Sequence, residues 1–274
     1  MPGPAGPPIS NLRAVALLIK WDLFKIAHRA IFIVMRSVWF AIQVIFFGQV
    51  LSHMVNSRLV GLDPSSYYRF YLYGIYTSIL FTITASRAYD LAEEFEDGII
   101  EYQLSLPINR RVLAFGRAVG GGIAATLFTL PMYATVVLLA GERDPIAIAV
   151  SLVAALVFSI AISGLVITVT LSIKSSDATD ILMGALDAIL VRLSTIFYPA
   201  AILKSVEPYY YTALVNPISH IADILRILYS FEEYRSIVIA EPSAMVSYVL
   251  GLFVGFTAVA IYVIEKKIEG GSWR

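Results

Sequence analysis

The chain of 274 residues contains no cysteine. That excludes disulfides, thiolate metal sites and cysteine nucleophiles. Charge is scarce as well, at 15% of residues, against about 25% in a soluble domain. The net charge is zero, so bulk charge gives no reason to expect a nucleic-acid partner. No Gly-Lys pair occurs, whereas a P-loop needs Lys-Ser/Thr after a glycine-rich turn to cradle phosphates. The stretch "GRAVGGG" lacks that lysine. There is no HExxH, and His28, His53 and His220 lie in separate segments, so neither a catalytic nor a metal centre is expected. The start, "MPGPAGPPIS", has no basic region running into an apolar one and does not read as a cleavable signal. Residues 1–10 read as a disordered tail, followed by a single domain, 11–274.

Apolar residues are what the chain has in excess. They make up 58% of it, and the mean hydropathy is +0.78. That is the composition of an all-α polytopic membrane protein. A helix needs roughly 20 apolar residues to cross the hydrocarbon. Six stretches qualify: Ile31–Leu51, Phe70–Tyr89, Val112–Ala140, Ile146–Ile173, Ile181–Leu203 and Ala244–Ile264. Gly120-Gly121-Gly122 and Pro131 mark candidate bends in the third. The fifth carries Asp187 and Arg192; each is costly inside a bilayer and calls for a partner or a place on the pathway. Gln43, in the first, is a further polar candidate for either role.

Lys and Arg set the orientation. One side collects Arg13, Lys20, Lys25, Arg29, Arg110, Arg111, Arg117, Lys174, Lys266, Lys267 and Arg274. The other has Arg58, Arg69, Arg143, Lys204, Arg226 and Arg235. Both termini are therefore expected in the cytoplasm of a plasma-membrane protein. Tyr67, Tyr68, Tyr71 and Tyr73, with Tyr209, Tyr210 and Tyr211, suit the outer lipid–water boundary.

Before the first span, Leu12, Val15, Ala16, Ile19, Leu23 and Ile26 share a helical stripe. Asp22, Lys25, His28 and Arg29 fall opposite. The pattern predicts an amphipathic helix lying on the inner membrane surface.

Between the second and third spans stands "EEFEDGIIEYQLSLPINRR", which is highly charged for this chain. Leu91, Phe95, Ile99, Tyr102 and Leu106 are spaced to line one helical face. Glu93, Glu94, Glu96, Asp97 and Glu101 cover the other. Gly98 sits mid-helix, and Pro107 ends it. So little cytoplasmic chain surrounds this helix that its apolar stripe is expected to lack cover of its own, and to be roofed by another protein.

This segment resembles the cytoplasmic coupling helix of ABC-2 type transporter permeases, with Glu96, Gly98, Glu101, Leu104, Pro107 and Arg117 in matching places. Ile99 stands where many relatives have threonine. A second patch, "FYPAAILKSVEPYYYTALVNPISHIADILR", is similar to the family's connection between spans five and six. The matching residues are Tyr198, Pro199, Asn216, Pro217, Ser219, His220 and Arg226. The resemblance implies short outer-leaflet helices there. It also implies a permease without bound cofactor that pairs with a second copy or close homologue. Two ATP-binding subunits would carry ATP and magnesium and dock on the coupling helices. The competing class, an ion-coupled secondary transporter or channel, favours paired acids near the midplane, and only Asp187 qualifies. The cargo is not identified by any motif.

Overall fold

The structure, a computed structural model, describes residues 10–55, 61–105, 108–173 and 175–267. Leu106, Pro107, Arg58, Lys174, Arg274 and tail residues 1–9 lie outside the described residues. Of Glu101, Leu104 and Lys267 only the backbone is described. All regular elements among the described residues are helical.

Helix α1, Asn11–Ala27, starts at Ser10, whose hydroxyl accepts the Arg13 N–H. It turns into α2, Ala30–Met54, which contains a π-helical turn at Gln43–Phe47. Helix α3, Pro64–Glu96, is capped by Asp63, which accepts the Ser66 N–H at 2.9 Å. A short α4, Ile99–Ser105, follows. Helices α5, Arg110–Ala140, and α6, Pro145–Ile173, form a hairpin. Its turn uses Gly141 at φ 75°, a left-handed position that glycine adopts without strain. Helix α7 is Ser176–Arg192. Four short helices come next: α8, Ala200–Leu203; α9, Glu207–Val215; α10, Pro217–Tyr229; and α11, Phe231–Tyr234. Helix α12, Pro242–Lys267, closes the described chain. Prolines open α3, α6, α10 and α12, where a missing N–H costs nothing.

Among the described residues, four helices are long and apolar enough to cross a membrane: α2, α5, α6 and α12. Helix α3 is longer, at 33 residues, or about 50 Å at 1.5 Å per residue. It is the central helix, packed against α2, α5, α6, α7 and α10. Most of its tyrosines, and Thr77 and Thr84, are buried against those neighbours.

Three readings need correction. The stretch Ile181–Leu203 is not one helix. Helix α7 ends at Arg192, and residues 193–199 turn back toward α10 through bonds from Thr195 to Ser219. Tyr67, Tyr68, Tyr71 and Tyr73 are not an interfacial belt but core, at most 7% exposed. Tyr67 donates to the Phe197 carbonyl at 2.8 Å, and Tyr68 donates to that of Val44, inside the α2 π-turn. Tyr209 and Tyr211 are exposed.

Helix α1 is also rotated from its expected setting. Ala14, Leu18 and Asp22 face inward, while Leu12 and Phe24 are exposed. The reason lies in α5, which is continuous through its glycines. A Cβ at Gly116 would stand 2.6 Å from Leu18 Cδ1, and one at Gly120 would stand 2.5 Å from Asp22 Oδ2. Without those side chains α1 seats directly on α5. At Gly122 a Cβ would meet the Ile160 backbone nitrogen at 2.6 Å, so the same glycine run also brings α6 close.

Candidate functional site

One end of the bundle is built around acids and bases from α1, α3, α5 and the turn between α1 and α2. Asp22 is 1% exposed. Its Oδ1 accepts from Arg87 at 2.9 Å and from Arg117 at 3.2 Å. Its Oδ2 is buried against Gly120 without a hydrogen-bond partner. Arg117 also donates to Glu94, which pairs with Lys25. Arg29 clamps Asp90 with two bonds of 3.0 Å, the planar fork that guanidinium and carboxylate share. Burial, and then the nearby Arg117, pull the Lys25 ammonium down to about 8, against the opposing pull of Asp22 and Asp90. Buried charges are costly alone and tolerable when paired. Here every member of the cluster has an opposite neighbour.

Beyond this cluster the chain forms an elbow. Helix α3 ends at Glu96, and Gly98 takes φ 72°, a conformation that other residues rarely adopt. Helix α4 then sets off in a new direction. The break divides the predicted apolar stripe. Leu91 and Phe95 lie on α3, 7% and 4% exposed, and Ile100 on α4 is 3% exposed. All three join the main core. For Leu91 and Phe95 the expectation of a stripe with no cover of its own does not hold: both are buried within the chain, and Leu91 shares a small void with Val166 and Ile167 of α6. Ile99 is half-buried. Among the described members of the stripe, Tyr102, at 67% exposed, is the one that projects outward. Glu93, Glu96 and Asp97 are exposed around it.

Glu96 does something the sequence reading missed. Its carboxylate accepts both the backbone N–H of Ser176, at 2.8 Å, and the Ser176 hydroxyl, at 3.0 Å. It thereby tops the first turn of α7, where unsatisfied N–H groups and the helix dipole favour an anion. The elbow is thus tied to α1 through Glu94, to the turn between α1 and α2 through Asp90, and to α7 through Glu96.

Between α2 and the α3–α5 pair runs an open groove of about 1100 Å³. Phe32, Met35, Trp39, Ile83 and Phe128 form its apolar wall, and Lys25, Arg29, Arg36, Arg87 and Asp90 its charged end. Asp187 of α7 is half-buried and accepts a 2.6 Å hydrogen bond from Thr82 of α3. Arg192 is exposed and donates to its own helix at Ala188, so the two do not pair. Gln43 opens the α2 π-turn and is half-buried.

At the opposite end, the second sequence patch forms a clasp. Asn216 caps α10 by accepting the Ile218 N–H, and its amide donates to the carbonyls of Leu190 and Leu193, at the end of α7. Pro217 occupies the first turn of α10, and Pro199 precedes α8. Arg226 is fully buried. It donates to Asp223 at 2.6 Å and to the carbonyls of Thr195, Ile196 and Phe70 at 2.9 to 3.1 Å. Its guanidinium lies 3.4 Å over the Phe70 ring. Asp223 also accepts from Thr195 and from the Ile239 N–H. A Cβ at Gly74 would come within 2.5 Å of Arg226 Nη2, so α3 offers the clasp a bare backbone. These residues read as pieces of a motif in the sequence; together they tie the end of α7, residues 193–199, α10 and α3.

His220 belongs to the clasp. Its Nε2 pairs with the Leu214 carbonyl at 2.7 Å, and its ring stacks on Tyr248 at 4.0 Å. Burial pushes the imidazole below its ordinary 6.5, with the Leu214 carbonyl and Asp223 pulling the other way. The unfolded chain therefore takes up the proton first as pH falls through about 6.5. Stability from this group is full above that value and is lost below it. Thermal unfolding in detergent is expected to show the fall, and His220→Gln to flatten it; an unchanged slope would remove His220 as its cause.

A family model described as ABC-2 type transporter matches residues 13–229. That span takes in α1, the elbow, the groove and the clasp. No curated protein matches the chain.

Proposed function

The chain belongs to the ABC-2 type transporter family, as a membrane permease subunit of an ABC transporter, and on that premise we propose that it is one half of an ATP-driven exporter. Its mate is a second copy or a close homologue. Each half engages one ATP-binding subunit, which supplies the ATP and magnesium site that this chain lacks the P-loop to build. Helices α2, α3, α5, α6, α7 and α12 are the six membrane-crossing segments in this reading, with both termini cytoplasmic. Helix α1 lies along the inner face, and α8 to α11 sit in the outer leaflet.

The observation that carries the coupling role is the elbow. Helix α4 projects past Gly98 with Tyr102 exposed, and the adjoining end of α3 is bonded to α1 and α7. A motor subunit gripping Tyr102 and the acids around it would move those helices directly. Docking thus falls to Tyr102 and the acidic rim, while Leu91 and Phe95 keep the elbow packed. Asp187, bonded to Thr82 on the neighbouring helix, is the candidate polar group along the pathway.

The test is co-expression with the cognate ATP-binding subunit. Tyr102→Ala is expected to weaken complex formation about tenfold or more, as loss of an interfacial tyrosine anchor does, and to lower transport-linked ATP turnover with it. Complex formation and turnover equal to wild type would reject α4 as the docking element.

A further inference from the structure

The groove beside α2 has features that ATP coupling does not use. Helix α2 is a candidate membrane span whose apolar window is only 11% buried, so the rest of the chain leaves the groove uncovered on its α2 side. Its lining on α2 from Phe32 to Ile42 is about 15 Å long at 1.5 Å per residue. Its charged end is unbalanced: Lys25, Arg29, Arg36 and Arg87 face a single lining acid, Asp90. Three of those bases already have partners, Glu94, Asp90 and Asp22. Arg36 is exposed, and no carboxylate among the described residues pairs with it. Asp187, whose charge it feels, is bonded to Thr82 instead. An arginine on a membrane-spanning helix is costly until an anion meets it.

We propose that this groove binds one anionic lipid, with its acyl chain against Trp39, Ile42 and Phe128 and its phosphate on Arg36, on the side of the Arg29–Asp90 pair. The guanidinium fork suits a phosphate. The polar end of the groove lies toward the α1 side, where a headgroup would sit, and the apolar end runs toward the bilayer centre. A protein occupant would need a carboxylate placed at Arg36 and a flat apolar face. A lipid brings both the charge and the chain in one molecule.

Trp39 makes the site readable. The chain has three tryptophans, so Trp21→Phe with Trp273→Phe leaves Trp39 as the reporter. The full chain in phosphatidylcholine vesicles is given brominated phosphatidylglycerol or brominated phosphatidylcholine at equal mole fraction. Quenching is expected to show an apparent preference for the anionic lipid of about fivefold, the effect of one basic residue at an anionic surface. Arg36→Gln brings the two lipids to parity, and Arg36→Lys keeps most of the preference. Ser86→Asp, which adds a carboxylate at the charged end, abolishes it even if Arg36→Gln fails to fold. Equal quenching in the parent protein would overturn the proposal. So would weak quenching by both lipids, which would mean that protein covers the groove, or reversal by added inorganic phosphate. The measurement needs neither ATP nor the motor subunit, so its failure would leave the exporter reading intact.

Discussion

Arg226→Leu is expected to destabilise the protein by about 3–5 kcal/mol, the usual result of leaving one member of a buried ion pair alone. The loss has two parts. Asp223, fully buried, keeps a charge with no cation beside it. The carbonyls of Phe70, Thr195 and Ile196 lose their donors, and each unsatisfied buried acceptor costs about 1–3 kcal/mol. A second variant separates the parts. Arg226→Leu with Asp223→Leu removes the stranded charge but not the stranded carbonyls, so it is expected to recover only some of the lost stability. Thermal unfolding of the purified chain in detergent reads both. Full recovery in the double variant would mean that the ion pair matters and the carbonyl bonds do not. Wild-type behaviour of the single variant would remove the clasp from the stability of the fold.

Asp22→Ala attacks the opposite end with a similar expected cost, about 3–5 kcal/mol. Arg87 and Arg117 both lose their shared acceptor, and Arg117 keeps only Glu94. Because Asp22 is the deepest polar residue of α1, the helix is expected to loosen from α5. Protease cleavage next to Lys20 and Lys25 would then accelerate along with the fall in thermal midpoint. Asp22→Asn, which keeps an acceptor but not the charge, should lie between. If Asp22→Ala melts like wild type and resists protease equally, the ion pairs do not hold α1 in place.

The sequence was most readable where lipid is the solvent. Val112–Ala140 was expected against an observed Arg110–Ala140, and Ile146–Ile173 against Pro145–Ile173. Lipid demands continuous apolar surface, and hydropathy reads that directly. It was least readable where protein replaces lipid. The tyrosines of α3 looked interfacial because no periodicity says that five other helices surround them. The stripe of Leu91 and Phe95 looked bare because its cover comes from distant chain, Val166 and Ile167 of α6 beside Leu91 among it. The charged face of α1 was identified as a face, but periodicity does not say which side turns inward. The answer depended on Arg87, Asp90, Glu94 and Arg117, 61 to 95 residues away in the bonds that pair them. Residues 193–199 were apolar enough to extend a span, and only the hydrogen bonds of Thr195 and Asn216 show why the chain turns there.

Gly74 sets the character of the whole molecule. With no side chain at that point, Arg226 wedges against the α3 backbone, and this end of the long helix has nowhere to slide. The other end of α3 is held by a second buried set of charges, in which Asp22, Glu94 and Arg117 are each less than a tenth exposed. A rod pinned near both tips is a strut rather than a swinging arm, and the helices packed along it take their spacing from it.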